Sequence, residues 1–387
     1  MIPELRRDFN ARFTPEKYSK FLARLDEHCG THVKFRICET PCFFPNALLN
    51  MMRTAGAELI LQLVQNEAYL AEARRRIPEG FLVKNEAPRP LFVQADFGVV
   101  RETGGDLRPR LVEMQGFPSL YAFQPVLEDT YRECYGVRAS VMTEARAGDL
   151  LKRAILGGHA PENVVLIEID PEHQKTMADF LLTARQCGIR VVDIRDVRKR
   201  GRRLFVGDTP IHRIYNRVIA DEMIRRNIQA DFRFDDDLDV EWAGHPNWFF
   251  LISKFSLPYL RHESVPESVF LDQVKAIPAD LENYVLKPLY SFAGLGVKVG
   301  PTRRDVEAIP ETERAQYLLQ KRVRFEPVIE TPEGPTMAEV RIMYIWLEEL
   351  KPVSVIVRMG RGRMMGVDHN RDQAWVGGSA AFTEGLA

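Results

Sequence analysis

Residues 163–170, NVVLIEID, constrain the fold more than any other stretch of this 387-residue chain. The Val-Val-Leu-Ile core is unbroken and too short for a buried helix, so it reads as a strand covered on both faces. Residues 172–188, EHQKTMADFLLTARQCG, follow as a helix ending near a glycine, and 189–196, IRVVDIRD, as a second strand. Strand, helix and strand in this order imply a parallel pair beneath a crossover helix, hence an α/β protein. No G-x-G-x-x-G follows the first strand, which argues against the nicotinamide-dependent oxidoreductase that such a unit otherwise suggests.

The length exceeds one simple core, and two or three packed lobes are expected. A formal net charge of −1 supplies no global field for nucleic acid or an anionic membrane. No run approaches the roughly 20 apolar residues of a bilayer span, and the opening MIPELRRDFNARF has no apolar core of the secretory kind. Five cysteines, an odd number, suit free thiols in a reducing compartment, so the expected location is the cytoplasm. Cys134 and Cys187 read as core thiols, with no histidine near in sequence to activate them. The basic run at 195–203 reads as a solvated hairpin turn about Gly201 in preference to a nucleic-acid patch. His28, His32, Cys38 and Cys42 fit no common zinc spacing, and Pro41 and Pro45 suggest a packed turn there.

Residues 46–76 predict one long helix or two short ones, with Leu48, Met52, Leu59, Leu63 and Leu70 near helical spacing and Pro78 ending the run. LFVQADFGVVRE and RPRLVEMQ then predict a hairpin around Thr103-Gly104-Gly105-Asp106. A third region begins near His245 with the helix-like NWFFLISKFSLPYL, followed by the strands YVLKPLY and YLLQKRV. A fourth, from Ala338, holds two apolar strands flanking a turn at Glu348-Glu349.

The segment 285–297, VLKPLYSFAGLGV, carries chemistry. A strand delivers Lys287, a compact cation suited to a phosphate. Ser291, Gly294 and Gly296 belong to a small-residue loop whose amides can approach phosphate oxygens. The lysine precedes the glycines, so this is no P-loop. Glu113 and Gln115 alternate on one strand and share a face, and a hairpin partner can bring Asp96 alongside. Solvent-facing hairpin carboxylates are the plainer alternative. Arg341 and Arg358 sit among apolar strand residues and need partners, which Glu339 or Glu113 could equally supply as structural ion pairs. Arg213 lies in the short strand IHRIY and Arg217 just after it, where a carboxylate-binding arginine and a surface helix start are both open.

The order of these motifs resembles ATP-grasp enzymes, particularly the circularly permuted group with the glutathionylspermidine synthetases. ADFGVV followed by RLVEMQGFPSL is similar to the family's D-x-x and E-x-N-x-x-P pattern, and it lies early in the chain, ahead of the lysine, glycine-loop and arginine strands. The resemblance covers nearly everything from about residue 90 onward. It implies an ATP-grasp fold of permuted topology plus a βαβ-containing pre-ATP-grasp-like lobe. A helical wrap would span 1–90, a metal-ligand hairpin 91–136, the βαβ lobe 137–240, the nucleotide lobe 241–330, and the rest of the C-lobe 331–387. By the same resemblance Lys254 and Lys287 contact ATP, Gln320, Lys321, Arg322 and Val323 form the adenine hinge, and Asn370 joins the nucleotide site. Asp96, Glu113 and Gln115 would hold one or two Mg²⁺ ions, with Gln115 one methylene longer than the family's asparagine. Arg341, Arg358 and Lys287 would be catalytic. The implied activity is ATP-dependent joining of a small-molecule carboxylate to an amine through an acyl phosphate, releasing ADP and phosphate. A protein that retains the fold and binds ATP without turnover is the alternative. Neither substrate, nor the oligomeric state, is named by these residues.

Overall fold

A computed structural model describes residues 1–141, 144, 146–290, 294–366, 370 and 372–384. The early hairpin, Phe92–Arg101 and Leu107–Gln115, does not stand alone. Its first strand pairs antiparallel with Met337–Trp346, which pairs with Leu350–Gly360 and then Gly377–Thr383. Segments more than 200 residues apart thus share one sheet. Cys42–Phe43 adds a parallel strand at the far edge, which sequence reading missed, and Ser140–Val141 pairs with the same Gly377–Thr383 strand.

Period-two alternation decides what each face of this sheet meets. Ala95, Phe97, Val340, Ile342, Val355 and Val357 point to one side, against Leu48, Met52 and Leu59 of helix Asn46–Val64. The opposite face carries Met343, Ile345, Val353 and Ile356, packed with Phe123, Leu127 and Tyr131 of helix Phe123–Tyr135. The first 90 residues hold four α-helices: Pro3–Arg12, Pro15–Cys29, Asn46–Val64 and Glu67–Arg75.

The βαβ unit folds as its pattern dictates. Val164–Glu168 is buried at all five positions and lies between Arg190–Asp193 and Arg213–Asn216, parallel to both, with Glu241–Ala243 beyond. Its crossover helix is shorter than predicted. Pro171–His173 forms a separate 3₁₀ turn, Gln174 is extended, and the α-helix runs only Met177–Cys187. The segment NWFFLISKFSLPYL likewise splits, into Asn247–Leu251 and a 3₁₀ turn Lys254–Tyr259 containing Pro258. A smaller antiparallel sheet holds Ser268–Phe270, Tyr317–Lys321, Tyr284–Pro288 and Lys298–Val299.

The basic run is a hairpin, Arg198–Arg200 with Arg203–Val206. It is answered by a nearby acidic stretch: Lys199 pairs with Asp236 at 2.7 Å, Arg202 with Asp237 at 3.0 Å, and Arg203 with Asp239 at 3.7 Å. Cys38 and Cys42 are buried free thiols, while His28 and His32 are turned to Thr130 and Asp26, so these four do not converge. No helix among the described residues is long and apolar enough to cross a membrane.

The βαβ lobe is tied to the central sheet's covering helix by Asp179. Its buried carboxylate accepts from the backbone N–H groups of Leu120, Ala122 and Phe123 at 3.0, 3.0 and 3.1 Å, and from Arg217 Nη1 at 2.8 Å. Arg217 is therefore an internal strut, not a surface arginine. Asp179→Ala strands a buried guanidinium and three N–H groups, and should lower stability by about 3–5 kcal/mol, read as a shift of the urea midpoint. A loss below about 1 kcal/mol would contradict this role.

Candidate functional site

One row across the sheet brings distant residues together. Asp96 lies opposite Arg341, which lies opposite Ile356; one step along, Gly98 faces Glu339, Glu339 faces Arg358, and Arg358 faces Gly378. All share the face opposite the Asn46–Val64 helix. Arg341 grips the Asp96 carboxylate in bidentate fashion, Nε to Oδ1 and Nη2 to Oδ2, both at 2.6 Å. Arg358 Nη2 donates to Asp96 and also meets Glu339. Gly98 allows the chain after Tyr317–Lys321 to cross over this row, since a Cβ there would lie 2.7 Å from Phe325 and 2.8 Å from Val323.

A β-bulge shapes the second wall. Asp96 pairs with Glu113 but Phe97 pairs with Leu111, leaving Val112 without a ladder partner. The freed Val112 carbonyl accepts from Lys287 Nζ at 2.9 Å, bringing the lysine of the small sheet to the hairpin. Gly116 does the same for Lys254. Its N–H donates to Ile252 O at 2.8 Å, and a Cβ on it would sit 2.1 Å from the Trp248 carbonyl oxygen. That close approach sets Lys254 Nζ 3.9 Å from Glu113 Oε2, while Glu113 Oε1 accepts from Gln115 Nε2 at 2.5 Å.

These groups line one cavity of about 360 Å³. Its floor holds Glu113, Lys254, Lys287, Glu339, Arg341 and Arg358. Two carboxylates thus face four basic side chains, an excess of positive charge suited to a polyanion. Burial pushes the Asp96 carboxyl up, but Arg341 and Arg358 outweigh it and hold it below its ordinary value. Glu113 is likewise pushed up by burial and brought below its ordinary value, chiefly by Lys254. Glu339 remains raised, because burial and its carboxylate neighbours exceed the pull of Arg358. Burial takes the Lys287 ammonium down to about 8, with Glu113 opposing and Lys254 reinforcing the shift.

The cavity reaches from Val285, Val299 and Gln320 of the small sheet, past Arg322 and Val323, to the sheet floor. Two buried donors within it lack an acceptor among the described residues, Gln320 Nε2 at one end and Arg358 Nε on the floor. A buried N–H without a partner costs about 1–3 kcal/mol, so both positions are suited to an incoming acceptor.

The other expected residues divide. Gly294 lines the cavity and Gly296 follows it, with φ of +76° and +73°, conformations that favour glycine. Ser291 lies outside the described residues. Lys321 does not line the cavity; its Nζ sits 4.6 Å from the Tyr284 ring centroid. Asn370 does not line the cavity. Its oxygen accepts from Arg361 N and Gly362 N, and its nitrogen donates to Met364 O and Gly366 O, so the amide braces a loop and does not face a ligand. That loop's Arg363, Met364, Met365 and Gly366 line the cavity instead. Both Asp96 oxygens are taken by the guanidinium groups of Arg341 and Arg358.

A hard divalent ion can still be tested against the donors present. No three His, Cys, Asp or Glu side chains among the described residues are grouped to hold a metal by themselves. Mg²⁺ bound with a nucleotide, however, takes one or two protein carboxylates plus phosphates and water. Glu113 and Glu339, with the amide oxygen of Gln115, fit that smaller requirement.

No known family profile matches the chain, and no curated protein matches it in sequence. Among solved structures it is similar to a glutathione synthetase-like effector from Globodera pallida in its apo form. The TM-score is 0.63 at 11% identity, over 97% of this chain and 99% of that one. At that identity the likeness shows the fold alone: a mixed α/β fold like that of a glutathione synthetase-like protein.

The Lys287 shift predicts a pH dependence. The folded pKa lies below the ordinary 10.5, so the cation is present at pH 7 and is lost as pH rises through about 8. A polyphosphate held by this cation, with ATP as the probe, should therefore bind more weakly at pH 9 than at pH 7 by equilibrium titration. Lys287→Gln should bind about tenfold more weakly at pH 7 and show a flat profile. A slope unchanged in the variant would contradict the assignment.

Proposed function

We propose that this chain is an ATP- and Mg²⁺-dependent carboxylate–amine ligase on a circularly permuted ATP-grasp fold. The supporting observation is convergence: Glu113 from the early hairpin shares a cavity floor with Lys254, Lys287, Arg341 and Arg358, and Asp96 of the same hairpin lies buried behind that floor, paired with both arginines. In this reading residues 91–136 and 331–387 make the C-lobe, 241–330 the nucleotide lobe, 137–240 the pre-ATP-grasp-like lobe, and 1–90 the helical wrap. All five cysteines are free, which accords with a reducing compartment, and the cytoplasm is the proposed location.

ATP would lie with its base near Gln320, Arg322 and Val323 and its phosphates over Lys254 and Lys287. Mg²⁺, held by Glu113, Glu339 and Gln115, would neutralise phosphate charge. Lys287 and the Gly294 region steady the transferring group, and Arg341 and Arg358 stabilise its charge from the floor. A carboxylate oxygen of the acid attacks the γ-phosphorus as the bond to ADP breaks. The amine nitrogen then attacks the acyl carbon, phosphate departs, and the nitrogen loses a proton. Asp96 acts here by holding both guanidinium groups in place, a positioning role.

One observation favours the alternative, an ATP-binding protein without turnover: Asp96 is closed in by two arginines where the family has a metal ligand. Phosphate release from Mg-ATP with panels of acids and amines separates the two. Acid-dependent release should fall about 10³-fold or more in Arg341→Gln, with circular dichroism confirming the fold. Wild-type protein that binds ATP yet releases no phosphate with any acid would establish the alternative.

A further inference from the structure

Beyond the charged floor the same cavity continues under helix Phe123–Tyr135, and its chemistry changes. The walls there are Phe35, Leu120, Phe123, Leu127 and Ile356, all carbon. Phe123, Leu127 and Ile356 are buried, Phe35 and Leu120 half-buried, and the rings of Phe35 and Phe123 meet edge-on with centroids 5.3 Å apart. Two polar side chains at this end are turned into the protein, while Ser119 lines the wall beside Leu120: Gln124 Nε2 donates to Ser379 O at 3.3 Å, and Ser379 Oγ to Thr40 O at 2.6 Å. Among the described residues lining this end, the charged one is Lys175, exposed at the rim beside Thr176.

Two features show that this end is built and not left over. Leu120 holds φ of +63°, a left-handed conformation uncommon for a residue with a side chain. The bond from its N–H to the buried Asp179, at 3.0 Å, pins it there. Ile356 is the cross-strand partner of Arg341 and lies two residues from Arg358 on the same face. An anion on those arginines therefore has a carbon surface directly beside it.

We infer that the carboxylate this site accepts carries an uncharged, apolar body, branched aliphatic or aromatic, that lies over Ile356 and beneath the helix. A second charge on that body, such as an α-ammonium or another carboxylate, would be desolvated against carbon without a partner. The inference rests on the ligase reading for which reactant lies there, so binding and turnover are read separately.

The binding experiment titrates the full chain, with and without Mg–AMP-PNP, with butanoate, pentanoate, hexanoate and 3-phenylpropanoate, and with succinate and 4-aminobutanoate. The expected result is a tightening of about fourfold per added methylene, and apolar acids bound at least about tenfold more tightly than the doubly charged pair. Phe35→Ser and Leu120→Asn, the second chosen because asparagine tolerates the left-handed backbone, should weaken 3-phenylpropanoate about fivefold or more while AMP-PNP affinity holds. Equal or tighter binding of succinate or 4-aminobutanoate, no dependence on chain length, or no binding of any acid overturns the inference. Turnover is read by trapping with hydroxylamine, whose nitrogen displaces phosphate from an acyl phosphate to leave a hydroxamate. Apolar acids that bind in the expected order yet give no hydroxamate overturn the ligase reading and leave the apolar acid site standing. Hydroxamate from the doubly charged acids alone overturns the inference and leaves the ligase.

Discussion

The bidentate pair between Asp96 and Arg341 holds the rest of the arrangement in place. The two residues face each other across adjacent strands, one from the early hairpin and one from the last quarter of the chain, and both are buried. A slip of one residue in that pairing would bury an uncompensated carboxylate and turn a guanidinium into the core beneath Asn46–Val64. The pair therefore specifies register as much as it adds stability. Once register is fixed, Glu339, Arg358 and Ile356 fall on the same face without further instruction.

Two local departures from regular structure then close the cavity around this row. The unpaired carbonyl of Val112 receives Lys287, and the missing side chain of Gly116 lets the backbone of Trp248 press against the end of the hairpin. Both bring a lysine from outside the sheet to Glu113. The result is graded along the cavity: apolar, amide and guanidinium groups near Gln320 and Arg322, dense charge of both signs on the floor, and carbon beneath Phe123 and Leu127. An extended ligand set with a polyanionic middle and an uncharged far end matches that gradient, as ATP with a small acid beside its γ-phosphate would.

Much of this was legible in the residues. Turn residues at 103–106 between two strand-like segments gave the hairpin, apolar runs gave both late strands, and the apolar run at 163–170 gave a parallel pair, because burial on both faces writes itself into unbroken apolar stretches. The pairing of Asp96 with Arg341 was not anticipated, since no local signal links segments so far apart. What was not legible had physical reasons. The crossover helix starts late because Pro171 and extended Gln174 form a turn of their own, which places Lys175 and Thr176 at the cavity rim. Asn370 looked like a ligand residue, but whether an amide faces a nucleotide or braces a loop depends on four backbone groups that no spacing reveals. Asp96 matched a metal-ligand motif, yet its oxygens went to the nearer guanidinium groups. Phe35, Leu120 and Phe123 went unremarked because apolar residues lining a cavity resemble core residues until the fold is known.

The central claim is that a nucleotide lies across the junction between the small sheet and the early hairpin. A crystal structure with Mg–AMP-PNP tests it most directly. The account predicts the base beside Gln320 and Val323 and the terminal phosphate between Lys287 and Arg341. Nucleotide bound elsewhere on the protein, or a cavity left empty at saturating nucleotide, would contradict it.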